Sequence, residues 1–428
     1  MLLCCLFLNA CGSETAPTVP SEPTAPAEVV DYAASLKLDM SSSTAKEEAT
    51  VKTYVDGDTV HFHVDTALIA DGVLKARFLA VNTPESTGKV EEFGKTAANF
   101  TKEKLSAATS IILESETEEW EKDTTGDRNL VWVWYKTDAD AAYRNLNVEL
   151  LQHGLARPNS SANNQYGSTC MAAIEQSKRE KLNLYSGQPD PNFYYGDAVE
   201  LTLKELRTNI ESYNGIKVAF SGIISTNSGT QGVYVEDYDA ETDLYYGMYV
   251  YYGHGLSGSG LDILSVGNEA RIVGTVQYYE AGGTWQISGV NHRMMKPDDP
   301  DNLRKLSTGH SAAYVLTDAD TFVSGVVGEE IPYAAAVQGT SVQMQGLQVV
   351  EIYTTSNGGS SDGAMTLSCD ANGIPVTVRT ALLTDETGNR ITEEAYLGKT
   401  IDVKGIVDFF DGAYQIKVFT ANNITITE

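Results

Sequence analysis

The chain has 428 residues and a formal net charge of −28, with 30 Lys and Arg against 58 Asp and Glu. That length holds about two to four domains, and that acidity argues against one broad basic surface for gripping nucleic acid. With 5 cysteines in the whole chain, a disulfide-held scaffold is excluded, and apolar cores must supply the stability.

The chain opens on an apolar run, Met1 to Ala10, followed by Cys11 and Gly12. Residues 1–10 read as a bacterial lipoprotein signal peptide, with Leu8 to Cys11 as the lipobox and Cys11 as the lipid-attachment residue, although no basic residue precedes the run. Residues 11–47 read as a disordered tether, rich at first in Ser, Thr, Pro, Ala and Glu with no apolar period. No other stretch approaches the roughly twenty apolar residues of a membrane span. Membrane contact is therefore expected only through the N-terminal lipid, at the extracytoplasmic surface of a bacterial cell.

From residue 48 the pattern changes. Val51 to Val64 is a strand-like run broken by the turn Asp56-Gly57-Asp58. A second run, Val73 to Val81, stops at Thr83-Pro84, where proline cannot continue a ladder. His61 and His63 alternate with Val60, Phe62 and Val64, which puts both on the polar face of a half-buried strand. Two neighbouring strands ending together bring Asp58, Asn82 and Glu85 to one sheet end, with Arg77 projecting toward the same place. Singly, Asp58 is a turn former, Arg77 a surface strand residue and Asn82 a turn cap. Together they combine hard oxygen ligands, a fixed cation and a carboxylate. Glu114 to Asp123 reads as a solvated acidic turn, and Cys170 and Cys369 fall in different modules.

This set resembles the staphylococcal-nuclease (thermonuclease) family, and the likeness continues through Gly126-Asp127-Arg128 and the strand Leu130 to Trp134. Asn145 to Ala156 looks like the family's middle helix, and Lys178 to Ser186 like its closing helix. The resemblance spans residues 48–187. It implies an α+β module built on a five-stranded oligonucleotide-binding (OB) barrel with packed helices. It also implies calcium (Ca2+) held by Asp58, Asn82 and the backbone carbonyl of Thr83, hard oxygen donors of the kind calcium prefers. Glu85 would act as general base. Arg77 and Arg128 would grip the phosphate, since a guanidinium offers a planar fork and keeps its charge. The implied reaction is phosphodiester hydrolysis of DNA or RNA, preferably single-stranded or unwound, to 3′-phosphate products. The sequence departs from the family at Asn82, usually aspartate, in the loop Asp123 to Arg128, and at Arg157-Pro158-Asn159-Ser160, where a substrate-facing tyrosine pair has no match. These departures suit an alternative, a catalytically weak nucleic-acid-binding or scaffold lipoprotein. Within residues 51–187 there are 15 Lys and Arg against 20 Asp and Glu, so only −5 of the −28 sits there.

Gln188 to Asn192 reads as a linker into a β-rich stretch, residues 198–292, and Lys296 to Pro300 as a second linker before another, residues 311–428. Gly267, Gly274, Val276 and Tyr279 match Gly398, Gly405, Val407 and Phe410 at one offset, and Gly215 and Gly222 match Gly339 and Gly346. This divergent repeat predicts a mainly β chain in which two further OB-like barrels follow the first. The run Tyr245 to Tyr252 reads chiefly as barrel filling, with base stacking as the alternative.

Overall fold

Thr59-Val60-His61-Phe62-His63 and Val73-Leu74-Lys75-Ala76-Arg77-Phe78 alternate apolar with polar residues, the pattern of strands with one buried face. The computed structural model describes residues 28–125, 127–229, 231–280, 282–328, 330–356 and 361–428. Both segments are strands in it, with Val60, Phe62, Leu74, Ala76 and Phe78 buried. Tyr32–Glu428 forms one compact unit, which carries the barrels. The expected signal peptide and Cys11 lie outside the described residues.

Barrel 1 takes its five strands from Lys46–Tyr54, Thr59–His63, Val73–Phe78, Ser110–Glu114 and Asn129–Lys136. The first pairs with the second, the second with the third, the fifth with the fourth and the fourth with the first, all antiparallel. A parallel pairing of third and fifth, Arg77 opposite Leu130, closes the circuit. Trp132 and Trp134 are fully buried in its core. Around it lie α1 (Tyr32–Ser35), α2 (Gly94–Ser106), α3 (Leu146–Gln152) and α4 (Gly167–Arg179). The side chain of Asn145 caps α3, accepting from Val148 N–H at 3.0 Å.

Three expectations for this region are corrected. Residues 32–47 are not tether: Ala33 is buried and donates to Gln152 Oε1 at 3.2 Å, Tyr32, Leu36 and Leu38 pack on the core, and the first strand begins at Lys46. The closing helix is Gly167–Arg179, because Lys181 and Asn183 take positive φ and end it, leaving a short 3-10 turn at Asn183–Tyr185. Glu114 is no solvated turn residue. It is 1% exposed, and its Oε2 accepts from Trp134 Nε1 at 2.8 Å and the Tyr166 hydroxyl at 2.9 Å.

Barrel 2 uses Lys217–Asn227, Gly232–Asp239, Leu244–Tyr251, Asn268–Tyr279 and Thr284–Ser288, closed in the same order with third and fifth again parallel. A third circuit, from Ser341–Thr354, Met365–Ala371, Ile374–Thr380, Thr400–Phe410 and Ala413–Val418, repeats that order. The repeat reaches individual glycines. A Cβ on Gly274 would meet Ile287 Cγ2 at 2.5 Å, and one on Gly405 would meet Ile416 Cγ2 at 2.6 Å. Gly222 and Gly346 are not conformational equivalents, because Gly346 has positive φ at a bulge in its strand.

Neither expected linker is a free connector. Arg304–Thr308 returns to pair with the fourth strand of barrel 2, so that module runs past residue 292. Asp190 is 2% exposed, and its carboxylate accepts from Phe93 N–H at 2.6 Å and Thr96 Oγ1 at 2.7 Å, satisfying donors at the start of α2. Barrels 2 and 3 meet through the buried Glu236, which accepts from Ala313 N–H at 2.8 Å, Ser341 N–H at 2.7 Å and Ser341 Oγ at 2.9 Å.

Candidate active site

The turn between the first two strands of barrel 1 has no room for a side chain at Gly57, whose Cβ would lie 2.8 Å from both Ala97 Cβ and Thr83 Cγ2. Thr101 Oγ1 on α2 fixes the turn by donating to Gly57 O at 2.6 Å. Asp58 is thereby held with no solvent exposure. Arg77 stands opposite Thr59 in the register, and its guanidinium pairs with Asp58 Oδ1 while donating to Asn82 Oδ1 at 2.7 Å. Asp58 Oδ2 accepts from Thr83 N–H at 2.8 Å. The structure therefore brings Asp58, Arg77, Asn82 and Thr83 into one bonded cluster at a barrel end.

Glu85 lies on a segment without regular structure that runs to α2. The segment folds on itself: Glu85 N–H donates to Glu91 Oε2 at 3.1 Å, and Glu91 N–H to Glu85 O at 2.9 Å. Gly94, the first residue of α2, packs so tightly that a Cβ there would sit 2.2 Å from Glu85 O. Glu85 is open to solvent at one side, yet partial desolvation raises its carboxyl above the usual range; Asp56 and Glu91 add to the rise, and Arg77 and Arg128 oppose it. For Asp58, burial is the first cause of a rise to about 7 and Asp56 the second, opposed by Arg77 and the Thr83 N–H.

Arg128 stands just before the fifth strand, beside the strand of Arg77. Its guanidinium is held by Asp123, at 2.8 Å from Nε and 2.6 Å from Nη2 to Oδ2. The anionic neighbour that matters is thus Asp123, while Asp127, next to Arg128 in the chain, pairs with Lys75 at 2.7 Å.

Several residues of the site escaped the sequence reading. Asp56 is 7% exposed and accepts from Asp58 N–H at 3.1 Å; its place two residues before Asp58 was the available signal. Arg157, in the segment where the tyrosine pair is missing, lies directly opposite Asn82 in a two-residue pairing. Glu91 and Gly94 had no local signal.

Among the described residues, no group of three or more His, Cys, Asp or Glu is arranged to hold a metal. The donor chemistry nevertheless fits a hard cation. Asp56, Asp58, Asn82 and Thr83 offer only oxygen, and Asp56 and Asp58 are buried carboxylates whose repulsion a cation would relieve. No curated protein matches the chain. The family model described as staphylococcal nuclease homologue matches residues 75–187, which include Arg77, Asn82, Thr83, Glu85 and Arg128 and begin after Asp58. Residues 75–187, folded with the two preceding strands into a closed five-stranded barrel, are therefore a staphylococcal nuclease homologue domain.

Proposed function

We propose that the chain is a calcium-dependent phosphodiesterase acting on DNA or RNA to leave 3′-phosphate ends. The observation that carries this reading is the bonded cluster of Asp58, Arg77, Asn82 and Thr83, with Glu85 and Arg128 at its edge. Calcium would be held by Asp58, Asn82 and Thr83, with Asp56 adjacent, and would supply positive charge beside the phosphate. Arg77 exchanges Asp58 and Asn82 for two phosphate oxygens, and Arg128 does the same from Asp123, so both forks act on growing negative charge. Glu85, whose carboxyl is raised by partial burial, takes the proton of the attacking water.

The test is release of acid-soluble nucleotides from denatured DNA in calcium and in EDTA. Wild type is expected to act only in calcium, and Glu85→Ala to lose about 10²–10⁴-fold in rate. An equal rate in EDTA removes the calcium reading. A rate unchanged by Glu85→Ala removes the assignment of the base.

A catalytically weak, nucleic-acid-binding or scaffold reading has its own support. Asn82 gives a neutral ligand, and Asp123 competes for Arg128. The same assay decides, since no calcium-dependent release by wild type selects this second reading.

The lipoprotein sequence at the N-terminus supports a surface-anchored form attached through Cys11. In that form Cys11→Ser moves the protein from the membrane to the soluble fraction on cell fractionation. An unchanged membrane fraction would rule the anchor out.

A further inference from the structure

The tyrosine run of barrel 2 divides by face. Tyr246 and Tyr252 are buried in the barrel core, as barrel filling requires, whereas Tyr249 and Tyr251 point the other way and are only half-buried. Those two line a groove of about 1220 Å³ shared by barrel 1, barrel 2 and the end of barrel 3. That volume exceeds the roughly 300–1,000 Å³ of ordinary small-molecule sites, so the groove suits an extended ligand. Tyr54, Tyr278, Tyr279 and Phe409 add aromatic faces to it, and Tyr279 is 47% exposed.

The groove borders the candidate active site. Asp56, Ser86 and Glu91 belong to its wall. Tyr251 lies against the Glu85 loop, its Cε1 3.5 Å from where a Cβ on Gly88 would be. Burial, then Tyr279, then Glu85 raise the Tyr251 hydroxyl, so both groups are its near neighbours. Charge does not select the ligand. Lys89, Lys102, Lys217 and Lys417 are each paired with a carboxylate, and Lys95 has no carboxylate partner among the described residues. A chain held there is held by ring faces, since most of the groove's charges are already paired.

We propose that this groove is a track for single-stranded nucleic acid, in which Tyr251 and Tyr279 of barrel 2 stack bases beyond the phosphate seated at Arg77 and Arg128. The proposal rests on the phosphodiesterase reading of the adjacent site for the identity of the ligand. Exposed bases have ring faces in any sequence, and stacking on aromatic side chains is sequence-tolerant. Barrel 2 thereby supplies aromatic contacts to a chain whose barrel 1 lacks the tyrosine pair.

The test is fluorescence anisotropy of a labelled 15-residue oligothymidylate with the full chain in EDTA, so that binding is read without hydrolysis. Wild type is expected to bind, Tyr251→Ala and Tyr279→Ala to weaken binding by about tenfold each, and Tyr251→Phe and Tyr279→Phe to keep the affinity because the ring face remains. Absence of binding by wild type, or affinity unchanged in both alanine variants, overturns the track. So does affinity lost equally in the phenylalanine variants, which would mean hydroxyl chemistry or misfolding. Binding of a neutral oligosaccharide in place of the oligonucleotide, lost in the alanine variants, would reassign the groove to sugars and overturn it too. Tyrosine-dependent binding in EDTA with no hydrolysis in calcium keeps the track and removes only the catalytic reading.

Discussion

Asp58→Asn should abolish calcium-dependent hydrolysis and, in EDTA, flatten the dependence of stability on pH. The activity loss is expected at about 10³-fold, the scale on which one electrostatic partner of a transition state acts. The stability effect comes from burial. Asp58 has no exposure, and its carboxyl is raised from 3.8 to about 7, first by burial and then by Asp56. A carboxyl raised in the folded state binds its proton more tightly there than in the unfolded chain. Its contribution is therefore fully present below about pH 4 and is lost as pH rises through about 7. The loss is on the order of 4 kcal/mol, and the rise behind it already includes the opposing Arg77 ion pair and Thr83 N–H. Thermal melting from pH 4 to 8 in EDTA reads the effect as the difference between wild type and Asp58→Asn, which cancels the repulsion of the remaining acidic surface. Calcium should restore wild type at pH 8 and leave the variant where it was. Parallel pH curves for the two proteins would show that Asp58 is not the strained group.

Gly94→Ala should lower kcat by about 10²-fold without removing any group that touches substrate. Alanine ordinarily favours a helix over glycine by about 1 kcal/mol, and Gly94 opens α2 without a positive φ. Propensity alone would make the variant more stable. Against it stands a Cβ 2.2 Å from Glu85 O and 2.7 Å from Glu85 C, both backbone atoms. The helix and the loop must part by roughly 1 Å, and overpacking of that kind costs about 1–3 kcal/mol. A displacement of that size at a reacting group is enough for a 10²-fold loss. Single-turnover rates and melting temperature measured together separate the two effects. A variant that melts higher than wild type at full activity would show that the loop does not depend on this contact.

Distance along the chain decides how much of the fold and the site is legible in the sequence. The second and third strands of barrel 1 were legible because every other residue is apolar, and Asp58, Arg77, Asn82 and Glu85 were legible because the strand ends sit close in sequence. The third-strand register then delivers Arg77 to Asp58 with no long-range information beyond one hairpin. α2 was not legible. It buries Gly94, Ala97, Thr101 and Leu105, a stripe too small and too polar to announce a helix, and its first turn is held by Asp190 from far downstream. The same distance hid the roles of Glu114, whose carboxylate accepts from Trp134 and Tyr166, and of Asp190 within what reads as a linker. The glycine repeat was legible because Gly274 and Gly405 answer the same steric demand, one strand pressing on the next. That Gly346 forms a bulge where Gly222 is extended could not be read from identity alone.

The carbonyl of Gly88 accepts from Gly289 N–H, and that of Ser86 from the Gln277 side chain, both in barrel 2. An irregular segment such as 83–93 would ordinarily sample many conformations, and ordering it costs about 1–2 kcal/mol per residue in entropy. Here the neighbouring barrel settles that cost during folding, not at the encounter with a ligand. The loop that carries Glu85 is preorganised, so binding free energy at the site is not consumed in arranging it.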